Sequence, residues 1–154
     1  MTLFETPRLL VRHFEESDLF LLHAVLSDPA VMRYIEPPFS LARTEAFLTD
    51  AGLSSPPLVY AVEEKTTSRL LGHLIYHPYD EKSFEFGWIL SSSAWGKGYA
   101  SELTAAAISD AKIKRIPSLV IECAPDQLAT RHIAEKFRFS LISEKELALY
   151  RLTL

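Results

Sequence analysis

Three apolar runs, LVYAVEE (Leu58–Glu64), LLGHLIYHP (Leu70–Pro78) and SFEFGWIL (Ser83–Leu90), are separated only by the short polar pieces KTTSR and YDEK. Connections that short cannot carry a crossover, so consecutive strands must turn back on one another as an antiparallel meander. After the third run the chain reads SSSAWGKGYASELTAAA (Ser91–Ala107), with two of its five glycines inside three residues, and becomes helical beyond Gly98. A further strand, SLVIECA (Ser118–Ala124), follows that helix. A helix between two strands makes them parallel if they share a sheet.

The flanks complete the order. Arg8–Phe14 (RLLVRHF) alternates loosely as a first strand. Ser17 is expected to cap a helix that aligns Leu19, Leu22, Val25 and Leu26, and Asp28-Pro29 ends or kinks it. EPPFS (Glu36–Ser40) reads as a rigid loop, with Ser40 capping a second helix from Leu41 to about Thr49. Downstream, a helix from about Gln127 to Phe137 stacks Ala129, Ile133 and Phe137 at spacing four, and LALYRLTL (Leu147–Leu154) reads as a last strand. The predicted architecture is β-α-α-β-β-β-α-β-α-β: mixed α/β, with a largely antiparallel sheet and one parallel pair.

A chain of 154 residues is long enough for one domain with one sizeable core. Its net charge of −4 weighs against a phosphate backbone as partner and is compatible with a cationic one. One cysteine, Cys123, excludes an intramolecular disulfide framework and points to a reducing compartment. Charges scattered through MTLFETPRLLVRHF are unlike a secretory signal, and no stretch nears the roughly 18 apolar residues of a membrane helix. A soluble, cytoplasmic protein without a membrane partner is expected.

A strand, a glycine-bearing turn and a helix start together present unpaired N–H groups to an anion, helped by the helix dipole. Gly96 and Gly98 would let a phosphate approach the backbone, with Lys97 adding charge. The plain alternative is a strand-to-helix turn with a solvated lysine. The Walker pattern is absent, since Tyr99 follows Gly98. Gly96–Ser101 gives G-x-G-x-x-S with Glu122 near the end of the next strand, close to a dinucleotide fingerprint. The serine in third place and the upstream meander count against that match. His73 and His77, four apart on a strand, make no helical chelate, so no metal is expected. Cys123 reads as a small buried apolar residue.

WILSSSAWGKGYASE resembles the acyl-coenzyme A loop of the GNAT family of N-acyltransferases, [QR]-x-x-G-x-[GA], with Trp95 in place of Gln or Arg and Gly96-Lys97-Gly98-Tyr99-Ala100 after it. ETPRLLVRHFEESDL, LSDPAVMRYIEPPFSLARTEAFL, FEFGWIL and PDQLATRHIAEKFRF resemble the branch of ribosomal-protein N-terminal acetyltransferases, the Rim-like branch, over nearly the whole chain. The resemblance implies a GNAT domain over residues 1–154, a splayed parallel central pair, and acetyl transfer from acetyl-CoA (coenzyme A) to a primary amine by direct attack on the thioester.

It also implies roles. Trp88, Ile89 and Leu90 would splay from the strand around Glu122–Ala124 and pair their main chain with the pantetheine arm, one N–H serving as oxyanion donor. Gly87 would be the bulge that opens them. Trp95, Gly96, Lys97, Gly98, Tyr99, Ala100 and Ser101 would hold the pyrophosphate, joined by Gln127 where the family has asparagine. Glu85 and Glu122 are candidate bases, each also readable as an ordinary outward strand residue, with Glu144 and Glu146 ranked after them. A carboxyl near pKa 4.3 is a poor direct base for an ammonium near 10.4, so either would orient the amine and pass its proton through water. Thr130 would protonate the departing sulfur. Met32, Tyr34 and Phe39 flank the Pro37-Pro38 loop, which in the family lines the acceptor site. Arg138 replaces the glycine expected before Phe139, which should deny the helix its left-handed cap. Two alternatives stand beside the transferase: a non-catalytic acyl-CoA-binding regulator of the same fold, and a nucleotide-binding protein. The oligomer would be a monomer or homodimer.

Overall fold

The computed structural model describes all residues, 1–154. The predicted meander is its centre: β3 (Val59–Glu64), β4 (Arg69–Pro78) and β5 (Ser83–Leu90) pair antiparallel in sequence order. β1 (Thr2–Glu5) and β2 (Leu9–Arg12) extend the sheet on the β3 side. On the other side β6 (Ser118–Cys123) runs parallel to β5, and β8 (Ala148–Thr153) lies between β6 and β7 (Ser140–Glu144). The sheet order is β1-β2-β3-β4-β5-β6-β8-β7. Only β5 and β6 are parallel, so this is no doubly wound nucleotide-binding sheet. β1 and β7 were not expected from sequence: both are short outer strands, largely exposed, and carry no buried alternation to betray them.

Helices cover both faces. α1 (Leu19–Leu26), α2 (Pro29–Met32) and α3 (Leu41–Phe47) pack Leu22, Val25, Leu26, Met32 and Phe47, with Phe39 of the loop before α3, on one face of the sheet. α4 (Tyr99–Ile113) and α5 (Leu128–Lys136) bury Leu103, Ala107, Ala111 and Ala134 against the other. Strand alternation sorts the centre accordingly. Phe84, Phe86, Trp88 and Leu90 belong to the α4–α5 side, while Ile75 and Ile89 pack on the α1–α3 side.

Several local expectations are corrected. Ser17 does not cap α1. A 3-10 turn, Glu16–Asp18, precedes the helix, and Asp18 closes it by accepting the Glu15 N–H at 2.8 Å. Arg12 grips the same carboxylate at 2.9 Å through both terminal nitrogens. Ser40 does cap α3, accepting the Arg43 N–H at 3.1 Å, and Asp28 restarts the chain as α2 with Pro29 in the first turn. α3 passes at Phe47 into a π-turn, Leu48–Gly52.

Gly87 is not a bulge. The β4–β5 ladder runs without a shift from Gly72↔Leu90 to Pro78↔Phe84, with Gly87 opposite Ile75. The irregularity lies one strand away, where Val62↔Gly72 gives way to Glu63↔Leu70. Gly72 has φ 153°, and a Cβ there would stand 2.0 Å from the Ile89 carbonyl oxygen. Bare backbone at 72 is therefore what lets β5 lie straight against β4. Arg138, finally, does not prevent the α5 cap. It adopts φ 66° itself, with Phe139 donating to Ala134 at 2.9 Å and Arg138 to Glu135 at 3.0 Å. Those two bonds form a Schellman closure on an arginine.

Candidate active site

β5 and β6 pair only over Ser83↔Ser118, Phe84↔Leu119 and Glu85↔Val120. Beyond Glu85 the strands part: β5 stays on β4 as far as Leu90, and β6 stays on β8 as far as Cys123. The opening therefore comes from each strand following its own outer neighbour. Ser91 donates its N–H to Leu71 in β4 at 2.7 Å. Counting back by twos along the unshifted ladder turns the main-chain groups of Ile89 and Gly87 towards β4, and those of Trp88 and Leu90 towards the open side. The Trp95 indole N–H occupies the Leu90 carbonyl at 3.0 Å. The Trp88 N–H and C=O and the Leu90 N–H remain facing the seam.

At the top of the seam, Gly96 (φ 72°) and Gly98 (φ 81°) are left-handed, and Gly98 is the N-cap of α4. A Cβ at Gly96 would meet nothing within 4 Å, so the space over the loop is open and the backbone angle alone demands glycine. The first-turn amides of α4, from Tyr99 to Ser101, have no partner inside the helix. A groove of about 290 Å³ runs here, lined among others by Trp88, Trp95, Gly96, Gly98, Ser101 and Thr130. Leu90, Tyr99 and Ala100 also border it, but the Tyr99 ring turns inward, donating to Glu64 at 2.6 Å. Lys97 stands outside the lining, beside Glu64, whose carboxyl is held low by Tyr99 and Thr67 first and by Lys97 more weakly.

Two cations not singled out from the sequence sit at this loop. Lys136 of α5 donates from Nζ to the Ser101 hydroxyl at 2.9 Å. Arg8 lies over the Tyr99 ring, 4.3 Å from its centroid, and its Nη2 would be 3.5 Å from a Cβ at Gly98. Glu102, the one acid in that turn, is already engaged by Thr6, by the Arg8 N–H at 3.0 Å and by Arg8 Nε at 2.8 Å. Burial pushes its carboxyl up, but those donors outweigh burial and hold it below the usual range. The loop thus faces outward as a net donor. Lys136 was visible in the PDQLATRHIAEKFRF segment; Arg8 was not, because nothing local ties residue 8 to residue 98.

Below the loop groove lies a hollow of about 130 Å³ that shares Trp88 and Thr130 with it. It brings together Glu122, Gln127, Thr130, Gly87 and Ile89. Gln127 is the N-cap of α5 yet makes no capping bond, which leaves its carboxamide unspent. Arg131 anchors this end of α5, donating to Tyr150 at 2.8 Å and to the Pro125 carbonyl at 3.0 Å, and pairing with Glu144. Glu144 is therefore committed as a counter-ion. Across the seam, the Tyr79 phenol is raised above its ordinary value, by the Glu122 carboxylate first and burial second.

Glu85 is not in that hollow. It lines a third groove, of about 270 Å³, that shares Ile35, Ile75 and Ile89 with the central hollow. There His77 Nε2 is 3.7 Å from the Glu85 carboxylate, and Nδ1 lies 2.9 Å from the Pro78 carbonyl. Glu85 raises the His77 imidazole above its usual value against the opposing effect of burial. Met32 and Phe39 line this groove; Tyr34 does not, lying beside Arg33 instead. Cys123 is buried in the core, where burial pushes its thiol up and makes it inert. The three hollows adjoin in a row across the sheet: glycine loop, opened seam, apolar groove.

Residues 8–140 match the family described as Acetyltransferase (GNAT) domain. The chain is 28% identical over 135 residues, 85% of its length and 78% of the relative's, to a protein of Bacillus subtilis (strain 168) named Uncharacterized N-acetyltransferase YnaD. Its fold is similar to a GNAT-family acetyltransferase crystal structure from Bacillus anthracis, with TM-score 0.89, 24% identity and coverage of 99% and 98% of the two chains. It is also similar to RimL, a ribosomal L7/L12 α-N-protein acetyltransferase solved in complex with coenzyme A. There the TM-score is 0.82 at 21% identity, covering 100% and 98%.

Proposed function

This chain belongs to the GNAT acetyltransferase family, and from that premise we propose that it transfers the acetyl group of acetyl-coenzyme A to a primary amine by direct attack on the thioester. One observation carries the reading: the seam opened between parallel β5 and β6, ending on a left-handed glycine loop and a helix N-terminus. The residues present fit coenzyme A. The amides of 99–101, with Arg8, Lys97 and Lys136 around them, suit a pyrophosphate. The main-chain groups of Trp88 and Leu90 suit an amide-bearing arm laid along β5 as a further strand would be.

Bound there, acetyl-coenzyme A supplies an acyl group activated as a thioester. Glu122, at the meeting of seam and hollow, orients the incoming ammonium and takes its proton through water. Glu85 with His77 offers a second route for that proton from the apolar groove. A seam-facing N–H of Trp88 or Leu90 stabilises the oxygen on which negative charge develops. The Thr130 hydroxyl, bordering both loop groove and hollow, donates to the departing sulfur, and the Gln127 carboxamide steadies the bound arm. The acceptor enters over Met32 and Phe39, as a protein N-terminus or a small-molecule amine.

The test has two arms. Acetyl-coenzyme A is expected to raise the melting temperature while NAD and ATP leave it unchanged. Thiol release is expected with at least one member of a panel of primary amines. A thermal shift with NAD or ATP alone overturns the cofactor assignment, and a shift without release from any amine overturns the transferase.

A further inference from the structure

The apolar groove carries information about the acceptor itself. Its walls are Leu26, Met32, Phe39, Phe47, Ile75 and Ile89 among others, and its volume of about 270 Å³ is at the small end for ligand pockets, which run ~300–1,000 Å³. That is room for one ring or a short chain, not for a folded segment. His73 of β4 forms part of this lining, is 2% exposed and lies 5.2 Å from Phe47, ring to ring. Its Nδ1 is buried without a hydrogen-bond partner. An orphaned imidazole nitrogen in an otherwise apolar wall is unfavourable unless something completes it. No side chain of the fold does.

Charge is arranged the opposite way at the rim, where Glu36, Glu85 and His77 border the same groove. Resting on the transferase reading above, we propose that this groove selects an amine with a single apolar ring or chain whose far end bears a neutral hydrogen-bonding group, a hydroxyl above all, that bonds to His73. The ammonium stays by the rim carboxylates and the opened seam, the apolar body lies along Ile75, Ile89 and Phe47, and the tip meets the imidazole. Burial lowers the His73 pKa to about 4, so at neutral pH the ring is an uncharged donor and acceptor. A carboxylate tip would find no cation there. A second ammonium, as in a polyamine or an aminoglycoside, would be driven into apolar surroundings with no counter-charge.

Calorimetric titration of the full chain, with and without coenzyme A, tests this using two matched pairs: tyramine against phenethylamine, and 5-aminopentanol against pentylamine, with putrescine as the dication. In at least one pair the hydroxylated amine is expected to bind about 5- to 10-fold more tightly, and that ratio should fall to about 1 in His73→Phe, which keeps the ring and removes both nitrogens. Ratios of 1 or below in both pairs, putrescine binding more tightly than all four, a ratio unchanged in the variant, or no binding of any amine each overturn it. The comparison within the wild-type chain stands even if the variant does not fold. Binding ratios need no turnover, so a failed transferase reading, seen as absent thiol release, is distinguishable from a failed specificity assignment.

Discussion

Glu85 and Glu122 begin as equivalent glutamates on facing strands and end in different company. Glu122 borders the hollow with Gln127 and Thr130, while Glu85 faces His77 in the neighbouring groove. Glu122→Gln is expected to lower kcat by ~10²-fold or more with coenzyme A affinity unchanged, and Glu85→Gln by ~10-fold. Steady-state rates alongside titration with coenzyme A decide it; if neither variant slows turnover, both assignments fail. The two histidines act oppositely on stability. The His77 imidazole is raised by Glu85, so its contribution is complete below pH 6.5 and fades as pH climbs through the raised value. His73 is lowered to about 4, so the unfolded chain takes up the proton more readily. The stability it leaves intact above pH 6.5 is eroded as pH falls towards 4, by about 3 kcal/mol in all. Urea unfolding at pH 7 and pH 4.5 should show the wild-type protein losing about 2–3 kcal/mol more than His73→Phe; equal losses would refute the burial of that ring.

Elements are held where the chemistry needs them by closures that ignore residue preference. The α5 helix ends on Arg138 at φ 66°, in a Schellman pair of bonds that glycine would make with less strain. A left-handed non-glycine residue is unfavourable by ~1–2 kcal/mol, and the extra chain entropy of glycine offsets part of that. Arg138→Gly is therefore expected to stabilise by about 0.5–1 kcal/mol and raise Tm by ~2 °C, with acetyl transfer unchanged. A lower Tm by calorimetry would mean that the arginine side chain contributes more than its backbone loses. At the other end of α5, Arg131 ties the helix to Pro125, Tyr150 and Glu144, which fixes Gln127 and Thr130 relative to β6.

Across the whole molecule, the sheet behaves as two halves that share one short parallel contact. β1 to β5 form a continuous antiparallel ladder, β6 to β8 form another, and three register pairs join them. The core under α4 and α5 draws on both halves, Leu74 and Phe86 from one and Leu119 and Tyr150 from the other, so packing on that face holds the halves together while the seam between their strands stays open. Hydrogen exchange should report this directly. The Trp88 and Leu90 amides are expected to exchange rapidly in the free protein and to gain protection with coenzyme A, together with those of residues 99–101, while β3 and β4 stay slow throughout. Slow exchange at Trp88 and Leu90 without ligand would contradict the open seam.

Legibility followed the range of the interaction. The meander, the Ser40 cap, the glycine loop and the crossover helix were readable because each is set by neighbours a few residues apart: short connections, a hydroxyl beside three free amides, a left-handed backbone. β1 and β7 were not, since an exposed outer strand gains its identity from pairing and not from its own pattern. Nor was Arg8 beside Gly98, the commitment of Glu144 to Arg131, or the unpartnered nitrogen of His73, each being a meeting of segments far apart in the chain. The place where β5 and β6 part belongs to the same class: no residue in either strand forces it, and it follows from the separate ladders to which the two strands are bound.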